Sequence, residues 1–213
     1  MSRSDNALRD YIDTQFAPED DILTRVRGAG EALRPGMQIS AGEGKLLYLL
    51  AKMIGAQRIL EIGCFMGYSA ICMARALPQG GELITLEASE EYADLAEQHF
   101  EAAQLPIALR RGKALEQLSQ LQSETFDLIF IDADKPNYTN YLQATLPLLR
   151  TGGLMIGDNT LLFGAMIGEP QQRSSPAAIE AMRQFNRLMS GDGAPLEGVL
   201  IPTNEGLSVA IRQ

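Results

Sequence analysis

Two acidic clusters in this chain stand where carboxylates could hold a metal ion. Phe130-Ile131-Asp132-Ala133-Asp134-Lys135 ends a strand-like run with two carboxylates and an amine, at the point where the backbone must turn. Asp158-Asn159 closes the next apolar run, Gly153-Leu154-Met155-Ile156-Gly157. Strand ends on one edge of a parallel α/β sheet lie side by side, so the two clusters could meet around one hard cation with oxygen ligands only. A third segment, Glu61-Ile62-Gly63-Cys64-Phe65-Met66-Gly67-Tyr68-Ser69, reads as a glycine-bearing turn entering a helix, where a ligand can approach the backbone and the helix N–H groups. Glu87 closes the following apolar run roughly 20 residues on, the offset at which an acid meets ribose hydroxyls in nucleotide-binding βαβ units. Together these suggest an adenosine-containing cofactor. Only Gly63 and Gly67 are present, however, and bulky Phe65 stands where a dinucleotide site needs glycine, so the pyrophosphate of NAD would be poorly seated. An acid at Glu61 instead suits a ligand carrying positive charge, such as the sulfonium and amino group of S-adenosylmethionine.

Bringing these groups together takes a sheet, and the hydrophobic periodicity predicts one. Apolar β-prone runs at 58–62, 82–86, 107–110, 126–131 and 153–156 alternate with helical stretches at 68–77, 90–103, 114–121 and 138–149. Pro78, Gly80-Gly81 and Gly152-Gly153 supply the stops. Five strands with crossover helices predict an α/β, Rossmann-like, doubly wound sheet with helices on both faces. Two further runs, 198–201 and 206–211, follow one another across Pro202-Thr203-Asn204-Glu205-Gly206 and predict a C-terminal antiparallel hairpin, making seven mostly parallel strands. Residues 5–56 read as three helices ahead of the sheet, so that 1–56 forms a helical N-terminal part. With no repeat, low-complexity linker or composition break, one domain is expected over 1–213.

Composition excludes several classes of function. At 213 residues, 46% of them hydrophobic, the chain can bury a substantial core. Its formal charge of −9 comes from scattered acids, and no basic cluster is longer than Arg110-Arg111, so no nucleic-acid footprint is visible. Cys64 and Cys72 give neither a disulfide framework nor a zinc spacing and read as reduced, buried thiols. The opening residues Met1 to Asn6 carry no apolar signal core, and no apolar run nears the roughly 18 residues of a membrane span, so a cytoplasmic location is expected.

Four segments carry a resemblance. Met37-Gln38-Ile39-Ser40-Ala41-Gly42-Glu43-Gly44, the turn from Leu60 to Ala70, Phe130 to Lys135 with Tyr138 and Tyr141, and Gly152 to Asn159 stand in order over nearly the whole chain. In them the chain resembles the cation-dependent O-methyltransferases of the catechol and caffeoyl-coenzyme A type, in the class I S-adenosylmethionine-dependent superfamily. The resemblance implies that Asp132, Asp158 and Asn159 hold a divalent cation, Mg2+ first, with Mn2+ or Ca2+ as alternatives. Two vicinal hydroxyls of a substrate would then complete the coordination. It makes Lys135 the general base, a role that needs the neutral amine, which a nearby cation and partial burial both favour. It assigns Glu61, Gly63, Cys64 and Ser69 to the methionine and turn region of the cofactor, Glu87 to the ribose and Ala114 to the adenine. Met37 and Ile39 would cover the cofactor from the N-terminal side, and Asp132 would lie between metal and cofactor. A homodimer joined through the N-terminal helices is implied in the same way.

Other residues read more simply as structure. Asp134 is expected to shape the turn, Tyr138 and Tyr141 to pack one helix face, and His99, in a charged helix, to face solvent. The isolation of His99 argues against serine hydrolase chemistry and imidazole zinc sites. Where the family often has a tryptophan three residues past the asparagine, this chain has Leu162, which predicts either a wider pocket or a wall supplied by Phe163. The stretch 165–175 is polar, contains Pro170 and reads as a loop over the site.

The expected function is metal-dependent methyl transfer from S-adenosylmethionine to a hydroxyl of a small catechol-like or caffeoyl-like phenol. The nearest alternative is methylation of 5-hydroxyuridine in transfer RNA, which calls for a basic approach surface that this composition lacks. Alternatives of another class are a catalytically silent nucleotide-binding protein and an NAD-dependent oxidoreductase.

Overall fold

The central strands are apolar almost throughout, and a computed structural model describing residues 3–121, 123–168, 174–203 and 205–213 sends successive residues of those runs into two cores, one on each side of a sheet. The strands are β1 (Arg58–Ile62), β2 (Glu82–Glu87), β3 (Ile107–Arg111), β4 (Phe126–Ile131), β5 (Leu149–Gly157), β6 (Leu196–Ile201) and β7 (Leu207–Arg212). Their order is β3-β2-β1-β4-β5-β7-β6. Neighbours among the first five pair parallel, whereas β7 pairs antiparallel with both β5 and β6. This is the predicted doubly wound sheet with its terminal hairpin, and the order reverses between β1 and β4, where such folds bind ligands.

Eight α-helices stand among the described residues: α1 (Arg3–Phe16), α2 (Asp21–Leu33), α3 (Ala41–Met53), α4 (Tyr68–Ala74), α5 (Glu90–Ala103), α6 (Ala114–Ser119), α7 (Tyr138–Thr145) and α8 (Pro176–Met189). Ile59, Leu83, Leu128, Phe130 and Ile156 pack on α2 to α5 through Val26, Leu47, Ile71 and Phe100. The opposite residues, Leu60, Ile62, Ile84, Ile129, Ile131 and Met155, pack on α6 to α8 through Leu118, Tyr138, Met182 and Phe185. Strands buried on both faces need this near-continuous apolar sequence. Glu61 and Thr85 are the polar exceptions, and both are fully buried on the face with α4.

Several boundaries differ from expectation for local reasons. The helix expected over 138–149 ends at Thr145, because Pro147 cannot donate into it, and 146–148 close as a 3-10 turn. Helices α4 and α6 stop before residues 77 and 121 in single hydrogen-bonded turns. Strand β5 starts at Leu149, earlier than 153, with a register shift opposite Phe126 and Leu128. Helix α8 lay outside the periodicity reading; its sequence signal is the Ser175 N-cap followed by Pro176. His99 corrects an expectation: it is buried, not solvent-facing, with Nδ1 2.9 Å from the Met66 carbonyl. It shares the inward side of α5 with Ala96 and Phe100, so the charged look of that helix belongs to its other face. Both cysteines are buried and unpaired, as expected. Among the described residues no helix is long and apolar enough to cross a membrane. Residues 169–173, Pro170 with them, and Asn204 of the expected hairpin turn lie outside the described residues, as do Met1 and Ser2.

Candidate active site

Each predicted cluster begins one residue beyond a strand, and the ladder carries on through it. Gly63 N donates to Leu86 O (3.0 Å), Asp132 N to Ile62 O (2.9 Å) and Asp158 N to Ile131 O (3.0 Å). Gly63, Asp132 and Asp158 therefore stand abreast at the carboxyl edge of β1, β4 and β5. Gly63 is required here: its φ is +92°, and a Cβ would stand 2.0 Å from the Asp132 carbonyl oxygen.

Asp158 is nearly fully buried, and its Oδ1 has no hydrogen-bond partner. Its Oδ2 accepts from Asn159 Nδ2 at 3.1 Å, which leaves the Asn159 amide oxygen as an acceptor. Burial first, then the nearby carboxylates of Asp132 and Glu43, push the Asp158 carboxyl well above the ordinary range. Asn159 itself sits at φ 53°, a left-handed conformation that asparagine tolerates better than most residues. The orphaned acceptor, the clustered acids and the amide oxygen of Asn159 form a donor set that fits a hard divalent cation. Among the described residues no trio drawn from His, Cys, Asp and Glu could hold a metal; here the third oxygen is an amide.

Lys135 begins a 3-10 turn after β4, so its side chain folds back over the strand end. Nζ lies 3.0 Å from Asp132 Oδ1 and 2.5 Å from the Tyr138 hydroxyl. Tyr138 in turn donates to the Asp158 carbonyl at 2.8 Å and packs edge-on against Phe185. It does pack a helix face, as expected, but it also ties the amine to the second acidic cluster. Tyr141 hydrogen-bonds Asp134, which also accepts from Asn137 Nδ2, so Asp134 shapes the turn.

At the glycine turn, Glu61 accepts from Ser69 Oγ at 2.5 Å and from Thr85 Oγ1 at 2.6 Å. Complete burial, reinforced by Asp132 and Glu87, pushes its carboxyl up to about 8 against those two hydroxyls. Glu87 bridges the glycine turn and the start of α5: Oε2 accepts from Cys64 N (3.2 Å) and Phe65 N (2.8 Å), and Oε1 from Ser89 N (2.8 Å). Burial raises the Cys64 thiol well above its ordinary value, so it is inert packing and not a nucleophile. Ala114 opens α6, following Gly112 and Lys113 beyond the end of β3. Residues 37–39 form a strap between α2 and α3; Ile39 is buried, while Met37 is 54% exposed.

One residue escaped the sequence reading. Glu43 closes a capping box with Ser40 at the start of α3, a signal present as Ser-x-x-Glu, and its charge reaches Asp158. Leu162, expected to widen or border a pocket, is turned into the core with Tyr138 and Phe185; Phe163 beside it is half-buried. The loop behind them is zipped to the turn before β7, Thr160 N donating to Gly206 O and Leu161 N to Glu205 O. A recess of about 500 Å³ on the flank of α8, lined by Glu180, Arg183 and Arg187 among others, contains none of these residues.

The model of the O-methyltransferase family matches residues 15–213. A catechol O-methyltransferase from Niastella koreensis is 39% identical over 211 residues, covering 94% of each chain. Caffeoyl-CoA O-methyltransferase 1 from Zea mays is 32% identical over 225 residues, covering all of this chain and 86% of the maize enzyme. Among solved structures, an O-methyltransferase of tomaymycin synthesis from Streptomyces achromogenes, in complex with SAM, superimposes with a TM-score of 0.90 at 31% identity over the full length of both chains.

Proposed function

Because the chain belongs to the O-methyltransferase family, we propose that it transfers a methyl group from S-adenosylmethionine to a hydroxyl of a small catechol-like or caffeoyl-like phenol, with the help of a divalent cation. The substrate class rests on the names of the relatives and the cofactor on the SAM-bound neighbour. The observation that carries the metal-dependent form is Asp158 Oδ1, a buried acceptor without a partner among carboxylates that repel it.

In this reading Asp132, Asp158 and Asn159 hold the cation, Mg2+ first, and Mn2+ or Ca2+ by the same oxygen chemistry. Glu61, Gly63, Cys64, Ser69, Glu87, Ala114, Asp132, Met37 and Ile39 surround the cofactor. S-adenosylmethionine supplies a methyl on a sulfonium, and the cation supplies a positive field that makes a phenol hydroxyl more acidic. Lys135 Nζ, held by Asp132 Oδ1 and the Tyr138 hydroxyl, takes up the hydroxyl proton. Glu61, shut off from water, would hold the positive end of the cofactor, whose charge favours the ionised carboxylate and acts on it with little screening. Transfer in line needs no covalent enzyme intermediate, so the contribution of these residues is orientation. We further propose one domain over 1–213, a cytoplasmic location, and a homodimer through α1 and α3, whose Leu8, Tyr11, Phe16 and Met53 are exposed.

The test is methyl transfer from labelled S-adenosylmethionine to vicinal-dihydroxy aromatics and to bulk transfer RNA, with Mg2+ or chelator, for the native protein and Lys135→Ala. Phenol methylation that needs metal and falls by about 10²–10⁴ in the variant supports the proposal. Label appearing only in RNA, or phenol methylation unaffected by chelator, would refute it.

A further inference from the structure

The strap over residues 37–39 belongs to no helix or strand; Met37 N donates to Arg34 O at 3.2 Å, and the first of two side-chain anchors comes from α2. Arg27 Nη1 donates to the Ile39 carbonyl at 3.2 Å, and Nε donates to Glu19 Oε1 at 2.6 Å. Its guanidinium carbon lies 4.4 Å from the centroid of the Tyr68 ring. The Tyr68 hydroxyl donates to the same Glu19 oxygen at 2.5 Å, which closes a ring of three side chains. Tyr68 is the first residue of α4, directly after the glycine turn, and it is almost fully buried. One arginine thus joins the main chain of the strap to the helix that follows the glycine turn.

We propose that Arg27 is a positioning residue for cofactor binding, holding the strap at Ile39 against the first turn of α4. The proposal rests on the reading of Met37 and Ile39 as the cofactor cover. A planar guanidinium is what this position uses: it stacks on Tyr68 while two of its nitrogens point to different partners, which a lysine ammonium cannot do. The adjoining Gln38 anchors the strap a second time, its Nε2 donating to Val26 O at 3.2 Å from a notch over Gly30, where a Cβ would stand 1.3 Å from that nitrogen. Arg27 Nη2 and Gln38 Oε1 are both buried without partners.

The test compares the native protein with Arg27→Gln and the conservative Arg27→Lys in two assays that need neither phenol nor metal. Hydrogen exchange of amides 37–40 is followed in the cofactor-free protein, and S-adenosylhomocysteine binding is measured by calorimetry. Faster exchange in the strap with a Kd about tenfold higher in Arg27→Gln, and Arg27→Lys between it and the native protein, supports the proposal. Steady-state kinetics adds the split expected of a positioning role: KM for S-adenosylmethionine rises while kcat at saturation stays within about twofold. Unchanged exchange would show that Arg27 does not hold the strap. Faster exchange with an unchanged Kd would overturn the proposal through the strap itself, which then does not cover the cofactor. Should Arg27→Gln fail to fold, the same readouts on Arg27→Lys decide.

Discussion

Glu61→Gln should make the cofactor-free protein more stable as the pH rises. In the folded chain the Glu61 carboxyl is pushed from 4.5 to about 8, first by its complete burial and then by Asp132 and Glu87, while Ser69 and Thr85 work in the opposite direction. A folded-state value above the unfolded one means that the folded protein holds a proton the unfolded chain has released. The stabilising share of that proton is fully present below pH 4.5 and is lost as pH climbs through 8. At about 1.4 kcal/mol per pH unit, the loss reaches about 3 kcal/mol at pH 7 and approaches about 5 kcal/mol above pH 9. Glutamine has no charge to bury and can still accept from one hydroxyl. Urea unfolding of both proteins from pH 5 to pH 9 should show stabilities that diverge by this amount, which in a chain of this size is roughly 10 °C in melting temperature at pH 7 to 8. Calorimetry adds a second readout: a cation bound beside Glu61 favours its ionised form, so S-adenosylmethionine binding at pH 7 should release up to about one proton in the native protein and none in Glu61→Gln. Parallel stability profiles for the two proteins would show that the buried carboxyl is not raised, and the argument would fail.

Three further outcomes follow from the site. Asp158→Asn removes a carboxyl pushed upward by burial and by Asp132 and Glu43, so the unliganded protein should gain stability at neutral pH; the native protein should show a thermal shift with millimolar Mg2+ that this variant loses, and a thermal scan with and without chelator reads both. Tyr138→Phe leaves the Asp158 carbonyl without its donor and Lys135 without one of its two anchors, at a cost of about 1–3 kcal/mol in unfolding and a lower kcat, read by denaturation and initial rates. His99→Leu strands the Met66 carbonyl beneath the glycine turn, so urea unfolding should show a loss of about 1–3 kcal/mol, with kcat at 25 °C unchanged.

What the sequence makes legible here is whatever repeats at a fixed period or ends a strand. The apolar runs at 58–62 and 126–131, with the glycine and the acid that directly follow them, locate the sheet and its carboxyl edge, because register forces residues one step beyond paired strands to stand abreast. Contacts made across the fold leave no such trace. Tyr138 reads as a packing residue until Lys135 is seen folding back onto its hydroxyl, and Glu43 reads as a helix cap until its charge is seen to bear on Asp158. His99 was misread because a helix with many charges still presents one inward stripe. Helix ends shifted wherever a proline or a tight turn outweighed propensity, as at Pro147.

The hairpin that completes the sheet also sets the order in which the site can form. Strand β7, late in the sequence, lies inside the sheet between β5 and β6. The loop after Asn159 has its backbone partners at Glu205 and Gly206, and Thr160 Oγ1 reaches Gly206 across 46 residues. On a ribosome the parallel strands β1 to β5 can pair before that loop has anything to close against. The acidic cluster at Asp158 therefore acquires its final backbone only after β7 has been made and inserted, and a chain that stops within α8 would lack both β6 and β7 and leave this edge of the sheet unfinished.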